Sequence, residues 1–198
     1  MAITYPLSLP TVTGIRAVDF RAVNAVAYSA SPFTFSGQAH AYPGQMWTAD
    51  ITLPPMKRSS AEEWSAFLLS LRGQSGTFLL GDPLGCVPRG TASACTITGD
   101  AGANTVSATV PTGETLMPGD YIQLGTGAAS RLHKVTQSYT GTGAAADLEI
   151  WPSLRTAAAA VSATLSNCVG VFRLSSNETG WAADLQQYSI TFGAREAI

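Results

Sequence analysis

The clearest periodicity in the chain lies in KRSSAEEWSAFLLSLRG, residues 57 to 73, where Trp64, Phe67, Leu68 and Leu71 fall at i, i+3, i+4 and i+7. One apolar stripe of 3.6-residue period predicts a single amphipathic helix over about residues 60–72. Ser59 and Ser60 are each followed three residues later by a glutamate, Glu62 or Glu63, so two overlapping capping boxes mark its start. Gly73 stands where a left-handed residue ends a helix, and Arg72 suits the negative end of the dipole. Such a stripe belongs in a core; a partner-binding helix is the less common use.

Elsewhere the period is two. GIRAVDFRAVNAVAYS at 14–29 and QMWTADITL at 45–53 predict strands; in the second, Trp47, Ala49, Ile51 and Leu53 alternate with Met46, Thr48, Asp50 and Thr52. Pro54 and Pro55 lack the N–H donors a strand needs and end it. GTFLLGDP at 76–83 predicts a short apolar strand closed by a Gly-Asp-Pro turn. The C-terminal QQYSITFGAREAI alternates again, with Tyr188, Ile190, Phe192 and Ala194 on one side, and suits the N-terminal strands as a partner.

Residues 86–168 differ in character. They are rich in Gly, Ala and Thr, and the runs TVSATV, GDYIQLG, RLHKVTQ and DLEIWP are punctuated by PTGE, PGD and GTGAAA at hairpin spacing. The chain therefore reads as mainly β: a β-sandwich with a single α-helix, built from residues 1–85 and 169–198, interrupted by an inserted small β-barrel-like module over 86–168. RTAAAAVSATL at 155–165 has helix propensity without an amphipathic stripe and reads equally as a loop leading into a β run.

Composition narrows the function classes. With 198 residues, 45% hydrophobic and 12% charged, the chain is not disordered and has a real core. The formal net charge is −2 and the eleven Lys and Arg are scattered singly, which argues against direct nucleic-acid binding. No apolar run reaches membrane-spanning length, and MAITYPLSLP lacks the basic, apolar and small-residue order of an export signal, so a soluble product made in the cytoplasm is expected, without a membrane partner. Cys86, Cys95 and Cys168 form no CxxC pair and have no histidine at zinc spacing. Buried free thiols are the leading reading. A Cys95–Cys168 or Cys86–Cys95 disulfide, or a thiolate metal site completed by another chain, are the alternatives.

Candidate chemistry is sparse. His40 and His133 are the only histidines, and GxSxG, HExxH, P-loop and dinucleotide motifs are missing. GTGAAA at 141–146 has the glycines of a phosphate loop without its lysine, and a hairpin turn explains it better. Asp82 and Asp120 sit in Pro- or Gly-flanked turns, and nothing suggests that they meet as a carboxylate pair. No catalytic residue, metal site or cofactor is predicted, and the chain reads as a non-enzyme. Trp47 and Trp64 lie on apolar faces. Trp151 and Trp181 lie in or beside turns, where an exposed tryptophan serves as a sugar platform or a protein interface.

Taken in order, WTADITLPPMKRSSAEEWSAFLLSLRGQSGTFLLGDP, PGDYIQLG, RLHKV, LEIWPSLR and YSITFGAREA resemble the distal tail proteins of long-tailed bacteriophages, from about residue 14 onward. The resemblance implies a structural virion protein of the tail tip: a homo-oligomeric ring, usually a hexamer, that joins the tail tube protein to the baseplate hub protein. The tape measure and receptor-binding proteins would be further neighbours, and assembly would take place in the host cytoplasm. The sandwich would make the ring, the insert would project outward for attachment, and the helix would close an apolar face or edge not used in assembly. Another tail hub or tail-completion component, or a carbohydrate-binding receptor-recognition module, are the alternatives. Interface candidates are Tyr5, Pro6, Trp151, Trp181, Arg195 and Glu196, chosen on expected exposure.

Overall fold

In the computed structural model, which describes residues 3–184 and 187–198, every pairing between named strands is antiparallel. The first sheet runs β1 (Ala17–Ala30), β2 (Gly37–Thr52), β14 (Gln187–Glu196), β12 (Gly170–Leu174) and β3 (Phe78–Leu80), with β13 (Trp181–Asp184) paired to the start of β14. It thus joins the two ends of the chain, as the matching alternations of β2 and β14 lead one to expect. Phe192 lies opposite Ile51 and Ala194 opposite Ala49, so the buried residues of the two strands share one face.

Helix α1 (Arg58–Ser70) covers that face. Trp64, Phe67, Leu68 and Leu71 are all buried, and edge-on aromatic contacts link Phe67 to Phe78 at 5.8 Å and Phe78 to Phe192 at 6.2 Å between centroids. The predicted stripe is the one that packs. The helix start differs from the capping-box expectation: Lys57 is the N-cap, without a side-chain bond, and Ser59 and Ser60 lie inside the first turn. The reason is tertiary. Met56 still exchanges two backbone hydrogen bonds with Tyr188, so the chain leaves the sheet there and turns at once, with the Lys57 carbonyl accepting from the Ser60 and Ala61 amides. Glu62 instead pairs with Arg58 one turn earlier, at 3.2 Å. The helix ends at Leu71, and both Arg72 (φ 52°) and Gly73 (φ 67°) are left-handed.

The second sheet runs β11 (Ala158–Ala163), β4 (Cys95–Gly99), β5 (Thr105–Thr109), β10 (Ala145–Trp151), β8 (Arg131–Val135) and β7 (Tyr121–Leu124). It curls until its ends meet: Gln123 in β7 and Thr164, one residue past β11, exchange two backbone hydrogen bonds of 2.9 Å. Ile97, Val106, Ala108, Leu116, Ile122, Leu148 and Ile150 fill the interior. The small pair β6 (Thr115–Leu116) and β9 (Tyr139–Thr140) caps it. The alanine-rich stretch is resolved as strand β11, with Ala160 at φ 54° at a break in register. All three cysteines are free thiols: Cys95 and Cys168 are buried, each pushed up to about 11 by burial, and Cys86 is half-buried. The buried pair is therefore thiol at neutral pH, without nucleophilic character.

Trp64 is fully buried and donates from Nε1 to Thr13 Oγ1 at 2.9 Å. Trp64→Ala is expected to cost about 3–5 kcal/mol in urea unfolding. Leu69→Ala on the exposed side of the same helix should stay within about 0.5 kcal/mol.

Candidate assembly interface

β1 and β2 continue well past the rest of their sheet. β14 pairs with β2 only over Thr48–Thr52, and beyond that the two strands run on as a ribbon of their own. From Arg21 to Ala30 and from Gly37 to Gly44 every residue is exposed. The second strand begins at Gly37, before the predicted start at residue 45, and runs through Pro43 and Gly44. Both fall where the register slips between Asn24 and Val26, the irregularity that tolerates them within a strand.

Past this slip the ribbon is two-faced. Val26 lies opposite Ala41, Tyr28 opposite Ala39 and Ala30 opposite Gly37, all small or apolar; Ala27 opposite His40 and Ser29 opposite Gln38 form a more polar side. Tyr28 lays its ring across Gly37, where any side chain would collide with it. Alternation of this kind marks a strand with one face meant for burial. Within this chain nothing among the described residues covers it, and an isolated two-stranded hairpin is marginal in water. The ribbon also carries no Asp, Glu, Lys or Arg between Arg21 and Asp50. At the tip Phe33 and Phe35 are 91% and 83% exposed.

The root of the ribbon is fixed by a buried junction between the two sheets. Trp47 packs edge-on against Trp151 (4.4 Å, 87°) and donates from Nε1 to the Leu132 carbonyl at 3.0 Å. Arg155 donates to Glu196 at 2.7 Å and to the Gln45 carbonyl at 2.5 Å, while Glu196 also accepts from the Trp47 amide at 3.1 Å. The Gln45 side-chain oxygen accepts from the Ser153 amide and from Asn104. Each group that burial has stripped of water thus has a partner, as a buried ion pair requires. His133 is the exception: its Nδ1 donates to the Pro152 carbonyl at 2.7 Å, leaving Nε2 a bare acceptor with no protein partner. Burial pushes the His133 pKa down, the Pro152 bond and the Glu196 carboxylate oppose this, and Arg155 and Arg131 add to the lowering.

The six interface candidates scatter. Tyr5 is half-buried, its hydroxyl donating to the Ser70 carbonyl at 2.6 Å, and Pro6 lies beside it at the point where Leu7 bridges β3. Trp151 is held in the junction and donates to Asn24 Oδ1 at 2.8 Å. Glu196, expected at the surface, is buried because Arg155 from the insert reaches it; Arg195 is half-buried opposite Arg173. Trp181 on β13 is 45% exposed. Sequence reasoning missed the ribbon beyond residue 29. The signal available was the charge-free run with alternating Val26 and Tyr28, Ala39 and Ala41.

Among the described residues no helix is long and apolar enough to cross a membrane, and no three His, Cys, Asp or Glu side chains gather as metal ligands. The chain matches no protein-family model and no curated protein.

Two outcomes follow from the junction. Arg155→Met leaves the Glu196 carboxylate buried without its cation and is expected to cost about 3–5 kcal/mol in urea unfolding. The lowered His133 value means that the unfolded chain, titrating near pH 6.5, binds this proton more readily. The contribution of neutral His133 is therefore complete above about pH 6.5 and is lost as the pH falls below it. His133→Asn, which keeps an amide donor and does not titrate, should show a smaller drop in urea midpoint between about pH 7.5 and 5 than the unaltered chain.

Proposed function

We propose that this chain is a structural component of a bacteriophage tail tip, assembling into a ring, with a hexamer the expected symmetry, that joins the tail tube to the baseplate hub. The observation that carries the reading is the β1–β2 ribbon, an extension without Asp, Glu, Lys or Arg past Arg21 whose apolar face the chain's own core leaves uncovered. Such a surface serves a chain that completes its folding in an assembly. The order of motifs that resembles distal tail proteins supplies the kind of assembly. The plan of a helix-covered sheet interrupted by a curled β module agrees with that resemblance.

In this reading the helix closes one face of the first sheet, and the opposite face and the free edge of β1 remain for neighbours. The insert, rooted through Trp151 and Arg155, is held at a fixed angle to the ring domain and serves as an attachment point. A symmetry-resolved cryo-EM reconstruction of an intact tail tip tests this, with the chain traced by its helix and four tryptophans. Ring density between tube and hub is the expected result; a place on peripheral fibres, or absence from the virion, overturns it.

A further inference from the structure

We infer that the tip of the ribbon seats in an apolar cleft at the foot of β1 on a second copy of the chain, a head-to-tail contact; this rests on the assembly reading above. The tip is a knob. Ser31 to Ser36 form a bonded turn in which the Phe35 amide donates to the Ser31 carbonyl and the Ser31 amide to the Ser36 carbonyl, both at 2.9 Å. Phe35 is held left-handed at φ 56°, a strained position for a bulky residue, and both phenylalanines stand in solvent. Two aromatic side chains presented this way are what an interface anchor needs.

The matching hole lies at the other end of the same strand. Ile15, Val18, Pro83 and Leu84 wall a cleft of about 140 Å³, with Leu84 itself 95% exposed. Its charged members, Arg16 and Asp82, are of opposite sign, so the cleft presents no net charge to an arm that has none. A nucleic acid or an acidic peptide would find no net positive charge at either surface. The adjoining cleft also has no net charge but is a poorer match for apolar side chains, because four charged residues, Asp82, Arg89, Asp120 and Lys134, line it.

A chain cannot satisfy this contact by itself. β1 is a paired strand, and its 14 residues at about 3.3 Å each hold tip and foot about 45 Å apart. Knob and hole at opposite ends of one paired strand make the contact heterologous. Copies so joined close into a ring where the rotation permits and otherwise propagate.

The test uses the full chain with substitutions at exposed positions, so that folding is preserved. A tip variant, Phe33→Ser with Phe35→Ser, keeps the cleft; a cleft variant, Leu84→Asp, keeps the tip. In sedimentation each alone should be monomeric where the unaltered chain assembles, weakened by about tenfold or more. Mixed, they should give a one-to-one heterodimer that grows no further, since only one productive contact remains. In a Cys86→Ser background, Phe35→Cys and Leu84→Cys should cross-link between copies. Unaltered assembly of either variant overturns the inference while leaving the assembly reading intact. So does a chain that stays monomeric at about 1 mM with no Phe35–Leu84 cross-link. Failure of the assembly reading would instead appear in the tail-tip reconstruction.

Discussion

Strand β2 has two partners over its last few residues and one partner before them, and most of the molecule is arranged around that difference. Over Thr48–Thr52 it is a central strand, with β1 on one side and β14 on the other, and its inward residues join the core under α1. Before Trp47 it keeps β1 alone. A central strand buries one face by default, whereas a two-stranded ribbon buries none without outside help. One strand therefore belongs both to the folded core and to a surface that the core does not cover.

The point of change is where the second sheet attaches. Trp47, at the boundary, touches Trp151 and the Leu132 carbonyl, and its amide reaches Glu196, which in turn holds Arg155. Gln45, two residues outward, accepts through its side-chain oxygen from the Asn104 side chain and the Ser153 amide of the insert. The junction thus clamps the root of the ribbon at the last position where the chain can still supply partners. Buried ionic contacts add little net stability over an apolar packing, but they accept one geometry and penalise others. A fixed angle between two sheets is what the connector role proposed above would need.

The same economy explains why the functional reading rests on surface and not on chemistry. Except at His133 Nε2, the charged groups withdrawn from water, Glu196, Arg155 and Asp120, are occupied by internal bonds: Asp120 accepts from the amides of Arg89, Gly90 and Met117. Burial keeps the Cys95 and Cys168 thiols protonated. What the chain leaves unsatisfied is apolar area on the ribbon, and apolar area is recovered by association.

Legible along the chain were the elements whose periodicity is local: the helix with its Trp64, Phe67, Leu68 and Leu71 stripe, the paired alternations of 45–53 and 187–196, and the short strands of the Gly- and Thr-rich middle. Side-chain spacing on one element reports directly which face is apolar. Tertiary structure decided the rest. Met56 pairing with Tyr188 set the helix start at Lys57, ahead of two good serine caps, because a sheet contact outweighs a cap of about 1 kcal/mol. Glu196 became a buried ion pair only because Arg155, distant in sequence, arrives beside it. The first strand of the ribbon is read at 14–29, but the returning half and the exposed phenylalanines lie among Pro32, Pro43 and Gly44, which ordinarily interrupt a strand. Whether such residues break a strand or bend it depends on the partner strand's register, and that is fixed by pairing across space and not along the chain.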